Sequence, residues 1–418
     1  MSARVVGGRL VGAGFLDDPK AIRVFEALDG NGEETRIVGG AIRNALLGAH
    51  VHEIDFATTA EPPEIIRRAQ KAGLRTIPTG IDHGTVTVLV EGETFEATTL
   101  RHDVETDGRR AVVRFGRSFE EDALRRDFTM NALSVSRDGR LFDCTGGVAD
   151  IERRHVRFIG QARQRIREDY LRILRFFRFH AAFGEGEMDA DAFHAVIAER
   201  DGLGRLSRER VRAEMLKLLI ARRGAAVVAD VAGTGILGPL LGGVPHAARL
   251  ARAAAIGTAR GEAADPILRL AALRVQVVED AATLLDALRL SNDEHLRLQR
   301  AAHALTKWRG IASPPGELAL KTMLFRAGRQ ASLDALRLVW AESRAEPDDS
   351  AFGTADAFLR EAPEPSLPFR GADLIARGLK PGPAMGAALA KLQGDWIASG
   401  FTTDPTDLDR MLAAATAG

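Results

Sequence analysis

Three acidic residues are spaced so that they could bind divalent cations. Glu53 and Asp55 stand two positions apart in a strand-like stretch, so the two-residue period of a strand places both carboxylates on one face. A neighbouring predicted strand carries Glu96, which could come to lie beside them. Carboxylates that meet on one sheet face repel each other unless divalent cations lie between them, which is the arrangement that two-metal nucleotidyl transfer requires. Acids that merely keep an exposed strand face soluble would give the same pattern.

A pair of glycines, Gly39 and Gly40, lies between a predicted strand and the predicted start of a helix. A tight glycine turn allows backbone N–H groups to approach a phosphate, and Arg43 adds a forked cationic donor. The pattern also fits a plain turn, and the sequence contains no Walker-type lysine. It therefore indicates a phosphate site only in combination with other motifs.

Arg126 and Asn131 belong to a compact segment, residues 121–132, that is rich in charged side chains. Near a phosphate site, such a segment offers a cation for a triphosphate and an amide for a ribose or a base. The alternative is a charged helix surface above a core contact of Phe128.

A further set, Asp169, Arg172 and Arg175, falls within a stretch whose periodicity predicts a helix over 166–183. Residues three apart on a helix share a face, so Asp169 and Arg172 would form a fixed acceptor and donor that can read the polar edge of a nucleobase. An ion pair on a solvated helix face is the alternative. The surrounding residues 151–178 hold nine arginines against three acids, which indicates a surface for a polyanion.

The elements that position these residues change character along the chain. Between Arg36 and about Asp143, strand-like and helix-like patterns alternate at short intervals, which predicts an α/β or α+β unit. Within this unit, residues 85–90 and 94–100 predict a hairpin. From about Arg163 onwards the helical period continues almost without interruption, so the remainder is predicted to be all-α.

Composition places the chain among ordinary globular proteins. It has 418 residues, 45% hydrophobic and 27% charged, and 57 basic residues balance 57 acidic ones. No apolar stretch reaches the roughly 18–20 residues that cross a bilayer, and the N-terminus lacks the pattern of a secretion signal. The one cysteine, Cys144, has no internal disulfide partner. We therefore predict a cytoplasmic protein without a membrane partner.

The order and spacing of these motifs resemble the class II CCA-adding tRNA nucleotidyltransferases and bacterial poly(A) polymerases of the polymerase-β superfamily. The resemblance covers roughly residues 36–220, about half of the chain. Its matching stretches are 38–48, 53–60, 83–86, 98–109, 121–132, 142–147, 165–179 and 206–212.

The resemblance implies an α+β nucleotidyltransferase head with a mixed sheet, followed by an all-α neck, body and tail. We expect the head at 1–150, the neck that recognises the nucleobase at 151–240, and the body and tail that bind tRNA at 241–418. The stretch 101–115 would form a mobile element near the site.

The resemblance also implies roles for individual residues. Glu53, Asp55 and Glu96 would be catalytic and hold Mg²⁺. Asp169, Arg172 and Arg175 would select CTP and ATP, and Arg126 would contact the triphosphate or ribose. The full set of expected nucleotide-binding residues is Gly39, Gly40, Arg43, Arg126, Asn131, Asp169, Arg172 and Arg175.

The implied activity is template-independent addition of CMP and AMP to the 3′ acceptor end of tRNA, with CTP and ATP as the other substrates. Two departures from the family pattern bear on it: Asn44 stands where an Asp is usual, and Glu53 stands where the metal motif usually has Asp. We expect Asn44 to keep accepting a hydrogen bond. The alternatives are an A-adding enzyme or poly(A) polymerase, and a catalytically weakened RNA-binding homologue.

Overall fold

The computed structural model describes residues 3–106 and 111–416, without the side chains of Asp82, 102–106 and 111–114. Positions 107–110 of the stretch expected to be mobile, with Asp107 and Arg109, thus lie outside the described residues, and its mobility stays a prediction. The chain divides into two compact units, Met1–Ile236 and Leu237–Gly418.

The first unit is built around a seven-stranded sheet. The strands of the unit are β1 (Arg4–Val6), β2 (Arg9–Val11), β3 (Thr35–Val38), β4 (Asp55–Thr58), β5 (Arg75–Gly80), β6 (Thr85–Val90), β7 (Glu93–Thr99), β8 (Arg101–Thr106), β9 (Ala111–Phe115), β10 (Ser134–Val135) and β11 (Leu141–Phe142). The sheet has the order β11-β10-β3-β4-β7-β6-β5, in which β4 and β7 run parallel and the other neighbours run antiparallel. This mixed sheet confirms the predicted α+β head, and the β6–β7 pair confirms the predicted hairpin.

The N-terminal helix of this unit packs an aromatic ring onto the sheet. The ring of Phe25 meets that of Phe56 edge-on at 5.0 Å, and Phe56 lies 6.1 Å from Phe95 on the parallel neighbouring strand. All three rings are buried, so this core fixes the register of β4 against β7. The helices of the unit are α1 (Pro19–Leu28), α2 (Gly40–Leu46), α3 (Pro62–Lys71), α4 (Phe119–Leu124), α5 (Gly147–Glu152), α6 (Ala162–Glu168), α7 (Leu171–Phe183), α8 (Ala190–Glu199), α9 (Arg208–Ile220) and α10 (Gly224–Ala232).

The helix predicted over 166–183 is interrupted. Helix α6 ends at Glu168 and α7 begins at Leu171, while Asp169 has an extended backbone with φ −154° and ψ 106°. The Asp169 carboxylate accepts a hydrogen bond from the backbone N–H of Leu171 at 3.1 Å. Short acidic side chains compete in this way for backbone donors, which explains the break that periodicity alone misses.

The second unit is helical throughout its regular structure, as predicted. Its largest fully buried side chain is Trp340, whose ring stacks on that of Phe352 at 5.2 Å. No helix among residues 3–106 and 111–416 is long and apolar enough to cross a membrane. The helices are α11 (Leu237–Leu241), α12 (Ala247–Ala259), α13 (Pro266–Arg274), α14 (Val278–Leu288), α15 (Asn292–Trp308), α16 (Glu317–Ala327), α17 (Arg329–Glu342), α18 (Ser350–Glu361), α19 (Gly371–Ala376), α20 (Pro383–Ala398) and α21 (Pro405–Thr416).

Candidate active site

The first unit contains a polar cavity of about 520 Å³. Its walls come from the sheet, from the segment around 122–131 and from the start of α7. Of the eleven residues singled out from the sequence, ten line this cavity: Gly39, Gly40, Arg43, Asp55, Glu96, Arg126, Asn131, Asp169, Arg172 and Arg175. The fold thus brings together motifs that are spread over more than a hundred positions.

Two carboxylates lie side by side on the sheet. Asp55, the first residue of β4, is the register partner of Glu96 on the parallel strand β7. Burial, together with the charges of Glu96 and Glu53, raises the pKa of Asp55 to about 6, and Arg126 opposes this shift. A partly buried pair of like charges formed by hard oxygen donors fits a divalent cation such as Mg²⁺.

The predicted meeting of three carboxylates is not what the structure contains. Strand β4 begins at Asp55, so Glu53 precedes the strand, is exposed, and does not line the cavity. No group of three or more His, Cys, Asp or Glu side chains among the described residues is arranged to hold a metal. The two-residue period of a strand does not reach Glu53, because the chain enters the sheet only at Asp55. Glu53 still acts on Asp55 through its charge.

The glycine turn lies against the cationic part of the cavity. Gly39 follows β3 with φ +69°, a left-handed conformation that glycine adopts without strain. A Cβ atom added at Gly39 would stand 3.1 Å from Arg126 Nη1 and 3.6 Å from the carbonyl oxygen of Asn131. The backbone conformation therefore favours glycine, and a side chain here would also displace the Arg126 guanidinium.

Arg43 is held in place by two asparagines. Its Nη1 donates to Asn131 Oδ1 at 2.6 Å, while its Nε and Nη2 donate to Asn44 Oδ1 at 3.1 and 2.9 Å. The expectation that Asn44 still accepts a hydrogen bond is therefore confirmed. Burial, together with the charges of Arg178 and Arg175, lowers the pKa of Arg43 to about 10, so the guanidinium stays charged at neutral pH.

Asn131 lines the cavity, yet its side chain is used inside the protein. It accepts from Arg43 and donates through Nδ2 to Asp127 Oδ1 at 3.0 Å. Arg126 is held in turn by Asp122, whose Oδ2 lies 3.1 Å from Arg126 Nη2. The segment 122–131 thus orients two cations towards the same cavity.

The three residues expected to read the base have separate partners. Asp169 lies ahead of α7 and not within it, and its carboxylate and the Arg172 guanidinium hydrogen-bond to different groups. Arg172 Nη1 donates to Glu168 Oε2 at 2.6 Å, and Asp169 Oδ2 accepts from Arg210 Nη2 at 2.7 Å. Arg175 forms an ion pair with Asp127. All three of the predicted reading residues still line the cavity.

Sequence reasoning missed the residues that hold these groups. Asp122 and Asp127 are buried acids on either side of Arg125 and Arg126 in the chain. Buried acids are usually paired with a cation, so their burial indicates structural ion pairs. Both acids lie in the segment 121–132, whose many charged side chains are visible in the sequence. Glu168, Arg210 and Glu214 carried no separate signal, because charged residues on helices are usually solvated.

Comparisons with known proteins point in one direction. A model of the poly(A) polymerase head domain matches residues 35–157. The chain is 34% identical over 390 residues to "CCA tRNA nucleotidyltransferase 1, mitochondrial" from Mus musculus, covering 90% of this chain and 85% of that protein. It is 32% identical over 417 residues to the CCA-adding enzyme of Lacticaseibacillus paracasei, covering 96% of each. The crystal structure of the Bacillus stearothermophilus CCA-adding enzyme in complex with CTP superposes with a TM-score of 0.73 at 27% identity, covering 95% of this chain and 98% of that one.

Proposed function

This chain belongs to the family of CCA-adding tRNA nucleotidyltransferases, and we propose that it adds CMP and AMP from CTP and ATP to the 3′ end of tRNA with release of pyrophosphate. The observation that carries the proposal is one cavity that brings three groups of side chains together. They are the acid pair Asp55 and Glu96, the arginines Arg43 and Arg126, and the base-reading set of Asp169, Arg172 and Arg175. Two relatives matched over most of their length are named for CCA addition, which disfavours an A-adding enzyme, a poly(A) polymerase or a weakened RNA-binding homologue.

Asp55 and Glu96 are the residues that would hold Mg²⁺, since they present adjacent oxygen donors whose mutual repulsion a cation relieves. When bound, Mg²⁺ supplies activation of the attacking 3′-hydroxyl and neutralisation of charge on the triphosphate. With a pKa of about 6, Asp55 is mostly ionised at neutral pH and so available as a ligand. The role of Glu53 as a further Mg²⁺ ligand stays a prediction.

Arg43 and Arg126 would bind the triphosphate. Each guanidinium is oriented by protein acceptors, so it is already ordered before the nucleotide arrives. The backbone of Gly39 and Gly40 would let the phosphates approach closely, because no side chain intervenes. Asn131 would then act by positioning Arg43, whereas the resemblance implies that it contacts the nucleotide itself.

Asp169, Arg172 and Arg175 would select the base. Cytosine and adenine each present an exocyclic amino donor beside a ring-nitrogen acceptor, whereas uracil and guanine present a carbonyl at the corresponding position. A carboxylate acceptor beside arginine donors matches the first pair and repels the second. No nucleic-acid template is needed for this choice.

The wider organisation follows the same proposal. Residues 1–150 would be the catalytic head and 151–240 the neck that recognises the base, while 241–418 would be the body and tail that bind tRNA. We also propose a cytoplasmic location, on the basis of the single cysteine.

The proposal is tested with purified protein, Mg²⁺ and tRNA transcripts that lack CCA, end in C, or end in CC. CTP, ATP, UTP or CTP plus ATP is supplied separately, and products are sized at single-nucleotide resolution. Two C additions followed by one A and then arrest are expected. Addition of A alone to the CC-ending tRNA, long A tails, or no addition with tRNA binding retained would each overturn it in favour of the corresponding alternative.

A further inference from the structure

The carboxylate of Asp169 is held at both of its oxygens. Oδ1 accepts the backbone N–H of Leu171 at 3.1 Å, and Oδ2 accepts from Nη2 of Arg210 at 2.7 Å. Arg210 belongs to α9 and lies 41 positions after Asp169 in the chain. It does not line the cavity itself. Arg210 therefore contacts Asp169, a residue of the base-reading set, from outside the cavity.

The second bond matters because Asp169 lies in a link between two helices and not inside one. The bond from Leu171 fixes a single oxygen and leaves the carboxylate free to turn about its side-chain torsions. The Asp169 side chain is about one third exposed, at 33%, so packing alone does not restrain it. The donor from α9 removes the remaining freedom and sets the plane of the carboxylate.

The same face of α9 supports the other side of the base-reading set. Glu214 follows Arg210 by one helical turn and is buried. Glu214 Oε2 accepts from Arg178 Nε at 2.5 Å, and its Oε1 lies 3.8 Å from Arg175 Nη1. One helix face thus contacts both the acceptor and a donor of the base-reading set.

We propose that Arg210 is a positioning residue that determines nucleotide specificity, because it holds Asp169 as a fixed acceptor for the exocyclic amino group of cytosine or adenine. This inference rests on the proposed function. A carboxylate of fixed orientation accepts from an amino group and repels a carbonyl at the same place, whereas one that can turn away tolerates both. Arg210 therefore contributes to the rejection of UTP and GTP without contacting any nucleotide.

The test compares kcat/KM for CTP against UTP, and for ATP against GTP, in the parent protein and in Arg210→Ala. Both ratios are expected to fall on the order of 10-fold, the scale for loosening a positioned group, with a rise in KM for CTP larger than the change in kcat. Arg210→Lys should restore part of both ratios, since it returns one charged donor. The ion pair is partly exposed and contributes little to stability, so these variants should fold.

Arg163→Ala is the matched control. Arg163 is an exposed arginine in the same unit that shares Glu199 with Arg167, so its loss should leave both ratios unchanged. In an Asp169→Asn background, Arg210→Ala should change neither ratio further, because the group on which it acts is already altered. A general loss of structure would instead lower the rates with all four nucleotides together.

The inference is overturned if Arg210→Ala keeps both ratios at the parent value, or if it changes them equally with and without the Asp169 carboxylate. A parent protein that adds no nucleotide to tRNA would overturn the proposed function itself. The activity of the parent protein in the same experiment therefore distinguishes the two failures.

Discussion

Asp127 and Arg175 are joined by an ion pair in which both donors reach one oxygen. Arg175 Nε donates to Asp127 Oδ2 at 2.7 Å, and Nη2 lies 2.5 Å from the same atom. Burial alone would raise the pKa of Asp127, but Arg175 and the hydrogen bonds from Asn131 and the Phe128 backbone hold that pKa below its ordinary value. Asp127 thereby connects the residue that positions Arg43 with a residue of the base-reading set.

Replacing this carboxylate should affect both parts of the site at once. We expect Asp127→Asn to lower kcat/KM for CTP and ATP alike by roughly 10- to 100-fold, because Arg43 and Arg175 both lose their support. Loss of a charged hydrogen bond should also lower the free energy of unfolding by about 2 kcal/mol. Steady-state addition assays and urea unfolding measure the two effects. Unchanged kinetics with the expected loss of stability would assign Asp127 a purely structural role.

Arg172 is the other arginine of the base-reading set and lies on α7 with Arg175. Its Nη1 donates to Glu168 at 2.6 Å and to the carbonyl of Arg165 at 2.8 Å, so it is a preorganised donor. We expect Arg172→Ala to lower the discrimination between CTP and UTP more than it lowers turnover. The change removes a proposed base contact and leaves the acid pair Asp55 and Glu96 intact. Competition between the two nucleotides on one tRNA transcript measures this. Full discrimination in the variant would remove the idea that protein side chains replace a template.

The two acids that flank Asp55 should not contribute equally. Glu96 lines the cavity and is the register partner of Asp55, whereas Glu53 is exposed ahead of the strand. We expect Glu96→Gln to lower kcat by on the order of 100-fold or more, and Glu53→Gln by only about 10-fold. Rates measured over a Mg²⁺ titration separate a weaker site from a slower one. Equal losses would mean that Glu53 is a full ligand.

His180 should make the first unit sensitive to acid. It is buried on α7, and burial together with Arg223, whose Nη1 lies 3.4 Å from Nε2, lowers its pKa to about 4. His155 acts in the same direction, while Asp230 and a backbone bond at Gly186 oppose the shift. Between the ordinary value of 6.5 and about 4, the unfolded chain binds a proton that the folded chain does not. The free energy of unfolding should therefore fall as pH is lowered through this window, by on the order of 1–3 kcal/mol.

Urea unfolding at pH 7 and pH 4.5 measures this dependence. His180→Gln, which removes the titrating group, should flatten it, and the control His52→Gln removes an exposed histidine and should not. The same pH dependence in parent and His180→Gln would contradict the assignment.

Much of this molecule could be predicted from its sequence. The alternation of short patterns indicated a mixed α+β unit, and glycines between strand and helix located the turn at Gly39. What failed was local geometry: β4 starts at Asp55 and not at Glu53, and the helix over 166–183 breaks at Asp169. Both errors arise because periodicity gives the face of a residue but not where an element ends.

The supporting residues could not be predicted for a different reason. Arg210 and Glu214 lie on a helix whose charges look like an ordinary solvated surface, and only the tertiary fold brings them to Asp169 and Arg178. The distance along the chain between such partners leaves no periodic signal.

We propose that one cavity performs both C and A addition. This proposal is tested most directly by comparing the parent with Asp55→Asn on tRNA transcripts that lack CCA and that end in CC, with CTP and ATP supplied together. We predict that the parent completes CCA on both and that Asp55→Asn loses C and A addition alike, by about 1,000-fold, with its binding of tRNA unchanged. Retention of either addition by Asp55→Asn at the parent rate would contradict a single shared site.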